Sequence, residues 1–162
     1  MGSFTETVAG VSLEWAAATD KGPIRARNED AVLALPGFYT VADGMGGHFD
    51  GQRASGAIVD HLRAVGVKGP KITAAEITAA LEAADSDIST WGSGKIMGST
   101  VTGLALCEDE SATHWLVWHV GDSRLYKHDG TKLSQVTRDH TIVQELLDDG
   151  SIAEEQVAKH PD

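Results

Sequence analysis

Two helices are predicted in the first half of the chain from the spacing of its apolar residues. Between Gln52 and Val65, apolar side chains recur every three or four residues, which places them on one face of a helix. A second helix is predicted to begin at Thr73, because Thr73 and Glu76 match a capping box, in which each side chain satisfies a free backbone N–H group. The glycine-rich stretch from Trp91 to Gly98 is predicted to end this helix.

Short apolar runs on either side of the two helices predict β-strands. The stretch from Val8 to Thr19 is interpreted as one strand, and Asp129-Gly130 predicts a tight hairpin. The segment from Asp43 to Gly51 has four glycines in nine residues and is predicted to be irregular. The other predicted strands are Ala31 to Leu35, Phe38 to Ala42, Ser99 to Cys107, His114 to Val120, Ser123 to His128 and Thr131 to Val136.

Two further helices are predicted near the end of the sequence. The first runs from Thr141 to Asp149 and is closed by Gly150, and the second follows a capping box formed by Ser151 and Glu154. The order of elements predicts an α+β fold, a layered α-β-β-α sandwich of antiparallel sheets flanked by helices. A doubly wound α/β fold is the weaker alternative, because the strand groups lie too close together for repeated β-α-β crossovers.

The charge of the chain narrows the choice of partners. The 162 residues include 24 acidic and 13 basic side chains, which gives a net charge of −11. We expect no nucleic-acid partner and no membrane, because phosphate-rich surfaces bind clustered Lys and Arg, and no apolar stretch approaches the roughly 18 residues of a membrane span.

The single cysteine, Cys107, excludes an intrachain disulfide. It fits a reducing compartment, so we expect a cytoplasmic location.

Three short segments combine acidic residues with glycine or arginine next to predicted strands. They are residues 25–30, 41–48 and 120–124. Carboxylates at the ends of neighbouring strands can converge, and hard divalent cations such as Mg²⁺ and Mn²⁺ prefer oxygen ligands. A guanidinium such as that of Arg25 can hold phosphate oxygens through its forked donors. Each segment alone is typical of an ordinary turn, so only their combination and order indicate a metal site.

Several short segments along most of the chain match, in the same order, the motifs of one known protein family. They are Asp20 to Gly22, Arg25, Asn28 to Ala31, Val41 to His48, Gly98 to Thr100, Val120 to Tyr126, Asp139-His140 and His160-Pro161. In this order they resemble the bacterial branch of the metal-dependent protein phosphatases (the PPM family, or type 2C). The resemblance implies a metal-dependent enzyme that hydrolyses phosphoserine and phosphothreonine in proteins and opposes protein kinases in signalling.

The resemblance also implies a set of metal ligands. Asp43 would bridge two Mn²⁺ or Mg²⁺ ions, and the Gly44 carbonyl would complete one coordination sphere. Glu29 would bind one of the ions directly or through water. Asp122 would bind a third, weaker ion that some members of the family hold.

Two more residues would act on the substrate and the attacking water. Arg25 would bind the phosphate, and Asp30 would orient the metal-bound water. In the implied mechanism, a water that bridges the two metal ions attacks phosphorus, with no phosphoenzyme and no cysteine nucleophile. A loop-ordering role is favoured for His48 over general-acid catalysis, which requires reach to the leaving oxygen. His140 is expected to be structural, through a bond to the neighbouring turn.

The resemblance spans Asp20 to the C-terminus, and we expect residues 1–162 to form a single phosphatase domain that is truncated at its C-terminus. Residues 141–160 would correspond to a flap-like helical segment beside the active site. The family pattern continues with an Asp-Gly and an Asp-Asn pair that the sequence lacks, so a missing segment or a second chain would complete the fold. Two alternatives stay open: a degenerate phosphatase-like regulatory or binding module, and a plain metal-binding domain.

Overall fold

The computed structural model describes residues 3–46, 50–92 and 96–157. These residues form helices and antiparallel sheets, so the predicted α+β class is confirmed. The strands are β1 Phe4–Val8, β2 Val11–Trp15, β3 Asp30–Leu35, β4 Phe38–Gly46, β5 Met97–Ser99, β6 Val101–Glu108, β7 Thr113–Val120, β8 Tyr126–His128 and β9 Leu133–Gln135. The helices are α1 Asp50–Gly66, α2 Ala74–Gly92, α3 Ile142–Asp148 and α4 Glu154–Val157.

The largest sheet has the strand order β3-β4-β6-β7, and the short β5 pairs with the end of β4. Helix α1 packs against β3 and β4, and α2 packs against α1. Between helices and sheet lies the apolar core, where the Phe38 and Trp118 rings are 5.0 Å apart at their centroids. Burial of such apolar surface stabilises the fold by roughly 25 cal/mol per Å². The sheet therefore has one face fixed by the two helices.

The alternation of side chains along β4 decides where Asp43 lies. Phe38, Thr40 and Ala42 are each 2% exposed or less beneath the helices. Successive residues of a strand point to opposite faces, so Asp43 lies on the face away from the helices. In the pairing of β3 with β4, Asp30 is directly opposite Asp43 and shares that face. The core packing thus places two acidic side chains together on the open face of the sheet.

The first two helices agree closely with the sequence. Helix α1 buries the predicted apolar face, including Ile58 and Leu62. At the start of α2, the Thr73 backbone N–H donates to Glu76 Oε2 at 2.9 Å, and the Glu76 N–H donates to Thr73 Oγ1 at 3.3 Å. This is the predicted capping box, in which each side chain satisfies a backbone donor of the first turn.

The prediction of one strand over Val8 to Thr19 is wrong. The chain forms a hairpin of β1 and β2 instead, and it reverses at Ala9 and Gly10, which have φ values of 48° and 76°. Positive φ at both turn residues matches the twist of paired strands. The hairpin docks on the large sheet through Glu6 Oε1, which accepts hydrogen bonds from the Gly37 N–H at 2.8 Å and the Tyr39 hydroxyl at 2.7 Å.

The prediction that Asp43 to Gly51 is irregular is also wrong for its first residues. Strand β4 continues to Gly46, because each of residues 43–46 pairs with a residue of a neighbouring strand. Asp43 pairs with Asp30 of β3, and residues 44–46 pair with β5. Glycine weakens a strand without forbidding it, and here a strand distant in sequence supplies the pairing. At the other end of the segment, Asp50 and Gly51 begin helix α1.

The last elements confirm most of the predictions made for them. Strands β8 and β9 form the predicted hairpin, and Asp129 Oδ1 accepts from the N–H groups of Thr131 and Lys132 in its turn. Helix α3 begins after Thr141, whose hydroxyl accepts from the Gln144 N–H, and it ends before Gly150. The described residues contain no helix that is long and apolar enough to cross a membrane.

The last helix begins later than the pattern at Ser151 and Glu154 predicts. Helix α4 begins at Glu154, and the residue that reaches back is Gln156, whose Oε1 accepts from the Ala153 N–H at 2.8 Å. The Ser151 N–H instead donates to Asp149 Oδ1. The side chain of Asp149 thus closes the turn after α3, and the cap of α4 forms two residues later than the sequence pattern indicates.

Candidate metal centre

The centre of the candidate site is the pair Asp30 and Asp43. Their carboxyl groups are close enough to share a hydrogen bond across the β3–β4 ladder. Burial of its carboxyl raises the pKa of Asp43 above the usual value, the charge and hydrogen bond of Asp30 raise it further, and Asp122 adds to the effect. Arg25 acts in the opposite direction. Two neighbouring carboxylates therefore act on that of Asp43, and the Arg25 guanidinium opposes them.

Glu29 is held beside this pair by its backbone. Its carbonyl oxygen accepts from the Ser55 hydroxyl at 2.6 Å and from the Gly44 N–H at 3.2 Å. Ser55 is a fully buried residue of α1, so the helix fixes the position of Glu29. Asn28 precedes Glu29, and its Oδ1 accepts a hydrogen bond from the Asp30 N–H at 3.1 Å. The segment 28–30 is thereby locked between α1 and the end of β4.

Two glycines make room for a close approach of backbone and carboxylate. A Cβ atom on Gly44 would lie 2.0 Å from the Gly51 carbonyl oxygen, which no side chain tolerates. A Cβ atom on Gly51 would lie 2.9 Å from both the Gly44 carbonyl oxygen and the Glu29 carboxyl carbon. The Gly44 carbonyl and the Glu29 carboxylate therefore converge on the same small space beside Gly51. Because Gly44 and Gly51 have no Cβ atoms, the Gly44 carbonyl and the Glu29 carboxylate can lie together, and we call this pair of groups the Glu29–Gly44 cradle.

An open pocket of about 380 Å³ connects these groups. Its lining brings together five of the predicted site residues: Arg25, Glu29, Asp30, Asp43 and Gly44. Arg25 belongs to an exposed turn, where Lys21 Nζ donates to the Arg25 carbonyl at 3.4 Å. The predicted phosphate-binding arginine thus lies on the wall of the pocket that the acidic residues occupy.

Asp122, the sixth predicted residue, lies on a turn outside the pocket lining and acts on Asp43 through its charge. The turn begins at Gly121, which has a φ of 91°. The Gly121 carbonyl accepts from the His140 N–H at 3.0 Å, and the Gly121 N–H donates to His140 Nδ1 at 3.3 Å. The predicted structural role of His140 is confirmed by these two bonds.

Asp139, which lies in one of the matching segments but for which no role was predicted, supports this turn. Asp139 is 9% exposed, and its carboxylate accepts from Arg124 Nε at 2.9 and 3.0 Å. Gln135 Nε2 donates to the same carboxylate at 3.0 Å. The Arg124 guanidinium lowers the pKa of Asp139 against the opposing effect of burial. Asp139 therefore stays charged and ties the segment after β9 to the residue two positions after Asp122.

The donors at the site suit a hard divalent cation. They are carboxylate and carbonyl oxygens, and the crowded negative charge around Asp43 is the arrangement that a cation would relieve. In the described parts of the chain, no group of three or more His, Cys, Asp or Glu side chains encloses an ion by itself. Asp43, Glu29 and the Gly44 carbonyl are the donors that would hold the ions. His48 lies outside the described residues.

Comparison with known proteins places this geometry in context. No protein-family model matches the sequence. The serine/threonine protein phosphatase PstP of Mycobacterium tuberculosis is 35% identical over 154 residues, which are 92% of this chain and 29% of PstP. The chain spans less than two thirds of the length of the first curated relatives that it matches.

Two solved structures share both the fold and the sequence pattern. The catalytic domain of the phosphatase PstP, in complex with two manganese ions, superposes with a TM-score of 0.76 at 34% identity, over 91% of this chain and 67% of that domain. The PPM Ser-Thr phosphatase MsPP from Mycobacterium smegmatis gives a TM-score of 0.75 at 34% identity, over 89% of this chain and 61% of MsPP. With this identity, coverage and fold, the chain belongs to the PPM family of metal-dependent protein serine/threonine phosphatases.

Proposed function

We propose that this chain carries most of the active site of a Mn²⁺- or Mg²⁺-dependent phosphatase whose substrates are phosphoserine and phosphothreonine residues of proteins. The observation that carries the proposal is the pocket in which Asp43, Asp30 and the Glu29–Gly44 cradle face Arg25. The relative crystallised with two manganese ions supports the choice of metal. We further propose a cytoplasmic location and a domain that continues beyond residue 162, with residues 141–160 forming a flap.

The acidic residues would have two roles, which are to bind metal ions and to orient the attacking water. Asp43, Glu29 and the Gly44 carbonyl would hold two ions, and Asp122 would hold a third, weaker ion. When bound, such ions supply a water molecule that is nucleophilic near neutral pH. Asp30, whose carboxyl group lies against that of Asp43, would accept a hydrogen bond from this water and orient it towards phosphorus.

Arg25 would bind the substrate phosphate. A guanidinium can donate two parallel hydrogen bonds to phosphoryl oxygens, which both positions the phosphate and neutralises charge that develops during the displacement. The exposed turn that carries Arg25 leaves the guanidinium accessible to a phosphorylated side chain of a large substrate. A protein substrate would therefore reach the site from the open side of the pocket.

A covalent cysteine mechanism does not fit the geometry. Cys107 is 3% exposed and lies near the far end of β6, whose other end, Val101, follows the Asp43 contact residue Thr100. Burial raises the pKa of its thiol, which disfavours the reactive thiolate. Hydrolysis by an activated water is the route that remains compatible with the acidic pocket.

The test is hydrolysis of a phosphothreonine peptide by this chain with Mn²⁺. EDTA and the Asp43→Asn variant should each abolish turnover, whereas Asp60→Asn, on the exposed side of α1, should leave it unchanged. If this chain is inactive, the same comparison is made on a chain extended to the length of the crystallised PstP domain. Turnover that depends on Asp43 in either form supports the proposal. Mn²⁺ binding without turnover in both forms would instead favour a regulatory module.

A further inference from the structure

Thr100, in the single-residue gap between β5 and β6, makes three hydrogen bonds to Asp43 and Ser123. Its N–H donates to the Asp43 carbonyl at 2.9 Å, and its Oγ1 accepts from the Asp43 N–H at 3.3 Å. The same Oγ1 is 2.6 Å from the Ser123 hydroxyl. One threonine side chain therefore joins the backbone of Asp43 to the residue that follows Asp122.

The methyl group of Thr100 contacts the same turn. A Cβ atom built on Gly121 would lie 2.9 Å from Thr100 Cγ2 and 3.0 Å from its Cβ, so Gly121 and Thr100 are in close packing contact. Ser99 adds a further bond, from its hydroxyl to the Asp43 carbonyl at 3.1 Å. The turn that carries Asp122 is thus in contact with both branches of the Thr100 side chain.

The other side of the turn is fixed independently. His140 bonds both backbone groups of Gly121, and Arg124 is tied to the buried Asp139. The β6–β7 pairing ends at Val120, directly before the turn. Beyond it, the bond between Thr100 and Ser123 is the side-chain hydrogen bond that connects the turn to the residue that holds Asp43.

We propose that Thr100 is a positioning residue of the metal centre, whose hydroxyl sets the separation between Asp43 and Asp122. The proposal rests on the proposed function, because it assumes that these carboxylates bind metal. Ligands of a metal site must be held to about 0.5 Å, and groups that orient them typically change metal affinity 10- to 100-fold when removed. Loss of the hydroxyl would leave the Asp43 N–H and the Ser123 hydroxyl without this shared partner.

Three variants separate the hydroxyl from the shape of the side chain. Thr100→Val keeps the shape and removes the hydroxyl, and Thr100→Ser keeps the hydroxyl and removes the methyl group. Thr102→Val is the matched control, because Thr102 lies two residues after Thr100, in β6, and its buried Oγ1 has no hydrogen-bond partner among the described residues. Circular dichroism would confirm that each variant is folded.

The measurement is Mn²⁺ affinity, by titration calorimetry and by the paramagnetic resonance signal of free Mn²⁺. We expect Thr100→Val to bind Mn²⁺ about 10- to 100-fold more weakly, Thr100→Ser to restore most of the affinity, and Thr102→Val to match the wild type. If Thr100→Val fails to fold, Ser123→Ala removes the other end of the bond and should weaken binding in the same direction.

Hydrogen exchange of the Asp43 amide provides a readout that needs no metal. The exchange should be faster in Thr100→Val than in the wild type and close to wild type in Thr100→Ser. Equal Mn²⁺ affinity of the wild type and Thr100→Val would overturn the positioning role and leave the proposed function standing. If the 162-residue chain binds no Mn²⁺, the titrations are made on the extended chain, and a lack of binding there as well would overturn both proposals.

Discussion

The two acidic parts of the site are built in different ways. Asp30 and Asp43 belong to paired strands, so a backbone ladder fixed beneath two helices sets their positions. Asp122 lies on a turn that side chains hold in place, through Thr100, His140 and the pair of Arg124 with Asp139. A ladder is robust to the loss of one side chain, whereas a turn held by a few side-chain bonds is not. The two regions should therefore respond differently to substitution.

The largest effect is expected where the ladder meets α1, in Gly44→Ala. The new Cβ would lie 2.0 Å from the Gly51 carbonyl oxygen, so the strand and the helix must separate. We expect the free energy of unfolding to fall by more than about 3 kcal/mol, measured by urea denaturation.

Gly56→Ala is the matched control for this prediction. Gly56 lies within α1, and a Cβ there would meet nothing within 4 Å. Alanine is the better helix former, so this variant should gain about 0.5–1 kcal/mol. Equal losses in the two variants would contradict the close contact of Gly44 with Gly51.

The next effect breaks the support of the turn, in Asp139→Asn. The buried carboxylate accepts charged hydrogen bonds from Arg124, and its loss should cost about 2 kcal/mol of unfolding free energy at pH 7. The loss in free energy of Mn²⁺ binding at Asp30 and Asp43, the part of the site held by paired strands, should be smaller than this loss in unfolding free energy. A loss of Mn²⁺ affinity as large as that of Asp43→Asn would contradict the division into two separately held regions.

The same carboxylate gives this prediction a dependence on pH. Arg124 lowers the pKa of Asp139 in the folded state, so its contribution to stability is fully present above about pH 4, the usual pKa of an aspartate. The contribution is lost as the pH falls through the lowered value. The difference in unfolding free energy between the wild type and Asp139→Asn should therefore shrink on titration from pH 7 towards pH 2. A difference that is constant with pH would contradict the assigned charge state.

Local sequence signals predicted the elements that local interactions form. The capping residues of α2 and α3 and the Asp129-Gly130 turn lie within a few residues of the bonds that they make. The β1–β2 hairpin was missed, because its turn is Ala9-Gly10 and lacks the usual Asn-Gly or Asp-Gly signal. The extension of β4 to Gly46 was missed because β5, about fifty residues later in the sequence, supplies the pairing.

The same contrast separates the site residues that the sequence predicted from those that it missed. Arg25, Asp30 and Asp43 belong to short motifs whose chemistry is visible in the residue types, and the structure brings them to one pocket. Thr100 and Asp139 lie in segments that match the family, but their residue types do not indicate their roles. The contact of Thr100 with Asp43 joins positions 57 residues apart, and the role of Asp139 depends on its pairing with Arg124. Supporting contacts of this kind depend on the tertiary fold, which the motifs do not specify.

A smaller effect is expected from Ser55→Ala, which removes one bond on the strand side. The Ser55 hydroxyl donates to the Glu29 carbonyl at 2.6 Å, but that carbonyl also accepts from the Gly44 N–H. Because one partner remains, we expect a loss of only about 1 kcal/mol in unfolding free energy. Thermal and urea denaturation would measure it, and a loss above that of Asp139→Asn would contradict the greater robustness of the strand side.

The smallest effect is expected from Thr102→Val, and its sign is informative. Thr102 lies in β6 and is 9% exposed, and in the described part of the chain its Oγ1 makes no hydrogen bond. Valine has nearly the same shape and removes an unsatisfied buried hydroxyl, so the unfolding free energy should stay equal or rise by up to about 1 kcal/mol. A clear loss in urea denaturation would mean that this hydroxyl has a partner after all. The backbone ladder would then share with the Asp122 turn a dependence on individual side-chain bonds, and the contrast between the two regions would narrow.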